Sequence, residues 1–340
     1  MNGLQGLGPQ RQRGAALLLA MLVVTLVASL SAAAFWEQWR GWQVESADQQ
    51  QGQTAWLLTG ALDWARLILR EDARASTADH LAEPWAVPLQ EARLSAFLAV
   101  PDDGHGDSVP DAVLSGEVTD QQGKINLRNL LENGDKAQIS EDDRIVCQRL
   151  FDAVGVPSNE QALLLRQLTA LEAKDGTGQP RPEAPLLPDR FEQLSWLGLS
   201  SDSLRALAPH ATWLPERTPL NVNTASALAL YASVPGLDLT QANRIVQQRS
   251  RQHFKTLDDV RLAIPGAARL WSDERHGTSS RFFLVRGLLR LDGLTTEETS
   301  LVVRHGQVVN TLWRQRGGLG TPQPAGPAGA DGRPMSLKPI

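Results

Sequence analysis

Cysteine occurs once, at Cys147, which excludes an internal disulfide and any zinc site built on several thiolates. Tyrosine also occurs once, against ten tryptophans. An excess of basic residues is missing as well: 33 Lys and Arg against 38 Asp and Glu leave a formal charge of −5 and a pI near 5.7, which argues against a protein built to wrap nucleic acid. No GxSxG elbow, P-loop, GxGxxG turn or HExxH pair occurs, and the six histidines are scattered without ligand spacing. Nothing in this inventory points to catalysis. What remains is a chain of 340 residues, 42% apolar and 21% charged, enough for two or three folded domains.

Two further absences define the N-terminus. No charged side chain occurs from Ala15 to Trp36, and no proline between Pro9 and Pro84. As a helix at about 1.5 Å per residue the uncharged run is about 33 Å long, matching a bilayer core. Arg11 and Arg13 precede it while Glu37, Glu45 and Asp48 follow, so the positive-inside rule places the rest of the chain outside the cytoplasm. Trp36, Trp39 and Trp42 then recur at the spacing of an interfacial aromatic belt. Two processing schemes compete: a secretory signal cut after the small residues ending at Ala34, releasing a chain from Phe35, or a cut after Gly14 that keeps the apolar helix. Helical patterning favours the second. It continues unbroken to about Arg70, with Trp56, Gly60, Trp64, Leu67 and Ile68 on one face expected to pack on the following domain.

The segment Arg11-Gln12-Arg13-Gly14 followed by Ala15-Ala16-Leu17-Leu18-Leu19 resembles a type IV prepilin cleavage site. With Leu62–Leu69, Leu114–Leu131 and Leu220–Ala227 in the same order, the chain resembles the minor pseudopilin K family of bacterial type II secretion. Most pilins carry a glutamate where this chain has Leu19, and the K subunits are the members that usually lack it. The resemblance implies a non-enzymatic protein of the inner membrane, with its N-terminus cytoplasmic and its bulk periplasmic. It further implies processing between Gly14 and Ala15 by prepilin peptidase, and one copy at the tip of a periplasmic pseudopilus that helps export folded proteins. Its partners would be other minor pseudopilins and the major pseudopilin, met through Leu19 in the membrane and through Trp56, Trp64 and Ile68, and not nucleic acid.

The expected fold class is α+β: a leader at 1–14, a pilin helix at 15–73, and a pilin-like antiparallel sheet at 74–135 and 280–315. An inserted all-α domain at 136–279 splits that sheet, and a disordered Gly/Pro/Ala-rich tail covers 316–340. Alternation predicts a β-hairpin from Leu114–Asp120 and Lys124–Leu127, and later strands at Phe282–Leu291, Glu298–Val303 and Gln307–Trp313. Helices read at Glu141–Val154, Asn159–Ala173, Asp189–Leu197, Ser201–Ala208, Ala225–Ser233, Leu239–Ser250 and Leu257–Ala263. Within them, residues 220–263 have the pattern of a helix-hairpin-helix, a motif that often binds DNA, which supplies the alternative of a membrane-anchored DNA receptor. Asp238 at the hairpin, whose carboxylate would face phosphate, and the net acidity count against it. Asp102, Asp103, Asp107 and Asp111, or the loop near Lys174–Gly176, are candidate Ca²⁺ ligands. Cys147 falls on the apolar face of its helix and reads as a small core residue.

Overall fold

The computed structural model describes residues 13–93, 112–131, 139–172, 184–291 and 294–317, with the backbone alone at 13, 14 and 294. The candidate calcium loops at 102–111 and 174–176, the residues 1–12 of the leader and nearly all of the tail lie outside these. The chain divides into two compact units, up to Leu57 and from Leu58 on.

Helix α1 runs from Arg13 to Ala75, longer at both ends than the sequence pattern suggests. With proline absent, nothing interrupts its hydrogen-bond ladder. In the first unit its side chains are exposed almost all round, Leu17 to Phe35 included. Two polar side chains inside the apolar run bond to their own backbone: Thr25 Oγ1 donates to the Leu22 carbonyl at 2.9 Å and Ser29 Oγ to the Thr25 carbonyl at 2.7 Å. Such pairing keeps these two hydroxyl protons from facing hydrocarbon unpaired.

In the second unit the rest of α1 lies on a five-stranded antiparallel sheet. Its strands are β1 Leu89–Arg93, β2 Ala112–Asp120, β7 Phe282–Leu291, β8 Leu294–His305 and β9 Val308–Arg316, hydrogen-bonded in that order. The buried helix stripe is Leu58, Leu62, Ala65, Leu69 and Asp72, at alternating spacings of four and three. Leu62, Ala65 and Leu69 pack with Trp85, Phe283, Val285, Val302 and Val309. Each leucine contributes about 1.5–3 kcal/mol by leaving water. The face expected to dock is therefore not the buried one, which lies nearly on the opposite side of the helix, and Gly60 and Leu67 stay exposed with the tryptophans. Trp56 stays 79% exposed and Trp64 42%, while Ile68 is half-buried at the edge of the packed stripe. Both sides of this helix carry apolar residues, so periodicity alone does not say which meets the sheet.

Two glycines set the closest approach. Gly116 of β2 pairs with Gly287 of β7. A Cβ on Gly116 would lie 2.9 Å from the Arg286 carbonyl oxygen, and one on Gly287 would lie 3.3 Å from Leu58 Cδ2. Alternation in β7 then separates the faces: Phe283 and Val285 point to α1, whereas Phe282 and Leu284 pack with Leu214, Leu301 and Val303 on the other side.

The expected hairpin at 114–127 does not form. β2 lies between β1 and β7, and the chain leaves the sheet through a 3₁₀ turn at Gln121–Gly123. Two-residue strand β3 (Ile125–Asn126) then pairs in parallel with β4 (Ala211–Thr212). Asp120 accepts from the Gln122 amide and so caps the turn that carries the chain away. Alternation marked the strand correctly but said nothing of its partner.

Between β2 and β7 the chain is largely helical: α2 Glu141–Val154, α3 Ser158–Glu172, α4 Ser201–Leu207, α5 Ala227–Ser233, α6 Leu239–Arg251 and α7 Leu257–Ala263. Ser140 caps α2 by accepting from the Asp143 amide, and Gly155 ends it at φ 80°. Residues 191–197 form a 3₁₀ helix where an α-helix was expected. The part is not purely helical, because β5 (Leu220–Asn221) pairs in parallel with β6 (His276–Gly277). One core joins Leu150, Phe151, Leu164, Leu230, Ile245 and Trp271, and it takes in Ile125, Leu127 and Leu130 as well. Cys147 belongs to it, buried, and burial pushes its thiol above the ordinary range.

Candidate assembly surface

The residues singled out for processing and assembly lie along α1. Gly14 and Ala15 stand in its opening turn. Leu19 is 66% exposed within the uncharged run, and the rings of Trp36 and Trp39 meet at 5.3 Å where that run ends. This stretch is long and apolar enough to cross a membrane. Farther along, Trp64 and Ile68 line an apolar groove of about 250 Å³ with Val87, Pro88 and Leu89, whereas Trp56 is not part of it. The groove offers aliphatic and indole surface and few polar groups, suited to receiving another apolar side chain or helix.

Beneath α1 lies a polar cluster that the sequence reading missed. Arg304 of β8, buried, donates to Asp72 Oδ2 of α1 at 2.9 Å and also bonds Asp79 and the Ser280 carbonyl. Glu83 Oε2 accepts from Trp85 Nε1 at 2.7 Å and from the His80 amide at 2.9 Å, while its Oε1 has no hydrogen-bond partner and lies 3.7 Å from His80 Nε2. Asp120 Oδ2 receives Asn221, Thr224 and Ser280. One guanidinium thus ties the end of α1, the loop after it and the sheet, and Asp120 extends the network to the helical part. Burial raises Asp72 to about 6 and Asp120 to about 6, and it raises Glu83 from its ordinary value. The one available signal was Arg304 itself, a lone charge directly after the apolar Leu301–Val303.

Asp72, Asp79 and Glu83 come within 4.8 Å of one another, the only such carboxylate group among the described residues. They do not suit a cation, because Arg304 already holds Asp72 and Asp79 with its own positive charge.

The helix-hairpin-helix pattern spends its polar groups internally. Asn223 Nδ2 donates to the Phe254 carbonyl at 2.8 Å, and its Oδ1 accepts from the Phe254 amide at 2.9 Å. Gly236 turns the hairpin at φ 95°. Asp238 and Gln241 cap each other's amides at the start of α6, so a carboxylate occupies the place a phosphate would need. Arg249 donates to the Val222 carbonyl at 2.5 Å and is a structural residue. Three of the histidines have packing roles: His80 stacks on His253 at 3.8 Å, and burial lowers His276 to about 4.

A profile for type II secretion system protein K matches residues 220–277, the stretch that opens at β5 and closes at β6. Type II secretion system protein K of Pseudomonas aeruginosa is 29% identical over 329 residues, covering 90% of this chain and 90% of the relative. The Pectobacterium carotovorum protein of the same name is 24% identical, covering 92% and 99%. Over nearly its whole length the chain is similar to type II secretion system protein K. In fold it is similar to a chain of the GspK-GspI-GspJ complex from enterotoxigenic Escherichia coli. The TM-score is 0.59 at 18% identity, over 80% of this chain and 98% of that one. These likenesses make it a minor pseudopilin, a component of a secretion apparatus whose N-terminal apolar helix serves as a membrane anchor.

Proposed function

We propose that this minor pseudopilin sits in the inner membrane with its N-terminus cytoplasmic, is cut between Gly14 and Ala15 by prepilin peptidase, and caps a periplasmic pseudopilus beside other minor pseudopilins. The observation that carries the proposal is α1 itself. A single helix begins as an uncharged surface exposed all round and ends as a stripe buried on an antiparallel sheet. A helix of that kind leaves a bilayer for a helix bundle without changing its own fold. The complex with GspI and GspJ formed by the structural neighbour supports other minor pseudopilins as partners.

Leu19 supports the tip position. A carboxylate at this place in a neighbouring subunit would neutralise a terminal ammonium inside the membrane, where an uncompensated charge costs several kcal/mol. Leu19 supplies no such charge, which disfavours repeated stacking of this subunit along a filament. The helical part between β2 and β7 adds bulk that would obstruct a subunit above. Trp56, Trp64 and Ile68 are the proposed contacts below the tip. Sequencing the mature N-terminus tests the processing step: Ala15 should be first, and a product beginning at Phe35 would defeat the reading. Crosslinking from residue 64 in sheared pseudopili should recover other minor pseudopilins.

A further inference from the structure

The helical part carries a basic groove to which the proposed function assigns no role. It encloses about 1140 Å³ between α6 and α7. Arg244, Gln248 and Arg251 follow the four-then-three spacing that places them on one face of α6, and Lys255 continues the row past its end. Arg244, Arg251 and Lys255 are exposed, and none forms an ion pair among the described residues. This contrasts with Arg261 just beyond, whose charge is met by Asp258 and Asp273. Asp259 is the one acid lining the groove, and its carboxylate is engaged by the Lys255 and Thr256 amides.

The chemistry of the walls decides what fits. Gln247, Gln248 and Gln252 present primary amides, which donate and accept and so match a peptide backbone in either direction. Leu262, Ile264 and Pro265 give an aliphatic side. Of the two rings in the lining, Phe254 is buried and His253 is half-buried with one face stacked on His80, which leaves little ring surface for bases to stack on. Asp238 also blocks the hairpin's phosphate position. We infer that this groove binds an acidic, extended polypeptide segment of a partner protein. Arg244 and Arg251 lie about 10 Å apart along the helix axis, a distance an extended chain covers in about three residues. Two carboxylates separated by about that interval meet both cations. The inference rests on the helical part's own surface and stands apart from the tip position.

Fluorescence anisotropy on the full chain in detergent tests it, using a labelled alanine peptide with glutamate at every third position. Binding is expected, and it should weaken as salt rises. The combined Arg244→Glu, Arg251→Glu and Lys255→Glu change should weaken it roughly tenfold or more, given three solvent-exposed ion pairs. Arg244→Lys with Arg251→Lys should keep most of it, and Arg290→Glu, on the sheet, should leave it unchanged. A glutamine–alanine peptide should not compete. No binding of the acidic peptide, or binding indifferent to the triple charge reversal, overturns the inference. An oligothymidylate that competes as well as the peptide overturns it in favour of a nucleic-acid surface.

Discussion

Arg304 is the residue on which most of the second unit's polar interior depends, because it is the one cation facing Asp72, Asp79 and Glu83. Replacing it with methionine keeps the volume and strands the carboxylates. Near neutral pH, urea unfolding of the Arg304→Met chain should show a loss of about 3–5 kcal/mol, the cost of leaving buried charges uncompensated. The sign of the pH dependence follows from the raised carboxyls. A raised folded-state value favours the fold below the ordinary value of 3.8, and that contribution is lost as pH rises through about 6. The variant should therefore recover part of its stability at about pH 5, where Asp72 carries a proton. His276 works in the opposite sense. Burial lowers it from 6.5 to about 4, so its contribution is present above 6.5 and lost as pH falls through 4. A His276→Phe chain should keep about 3 kcal/mol that the parent loses across that window, measured by the same unfolding curves.

At the scale of elements, α1 has two apolar stripes on different sides with different duties, and substitutions separate them. Leu62 is buried against the sheet, so Leu62→Ala should cost about 2–5 kcal/mol. Trp64 faces outward along the open groove, and Trp64→Ala should cost less than about 1 kcal/mol while weakening association with other minor pseudopilins. Equal destabilisation by both changes would mean that Trp64 lies in the core. The motif of residues 220–263 is an element whose local pattern misleads. Its asparagine, its hairpin acid and Arg249 hold the two helices together, and the cations left over lie on the outer face of α6.

At the scale of the whole molecule, the sheet draws its strands from both sides of a long helical stretch. Folding must therefore close the contact between β2 and β7 across about 160 to 180 residues, from Asp120 paired with Phe283 to Ala112 paired with Leu291. The membrane run has consequences for maturation. Gly14→Val should leave the chain unprocessed, because a β-branched side chain crowds the scissile bond. Mass spectrometry would then find the leader attached. Quantitative mass spectrometry of sheared pseudopili should find this subunit far rarer than the major subunit, and near-equal amounts would rule out the tip position.

The sequence by itself determined the elements whose causes are local. The uncharged, proline-free run dictates a membrane-length helix. Ser140 before three acids marks the start of α2, and alternation marks β7 and β8. Each rests on interactions within a few residues, and each can be read from spacing. Only the tertiary structure decided which stripe of α1 faces the sheet, because Leu62 and Trp64 are equally apolar and differ in what lies opposite. It also decided that β2 pairs with β7 and not with residues 124–127. Long-range packing likewise gathered Asp72, Asp79, Asp120 and Arg304 from separate segments. Burial and ion pairing depend on partners far away in the chain, and no local period encodes a partner's address.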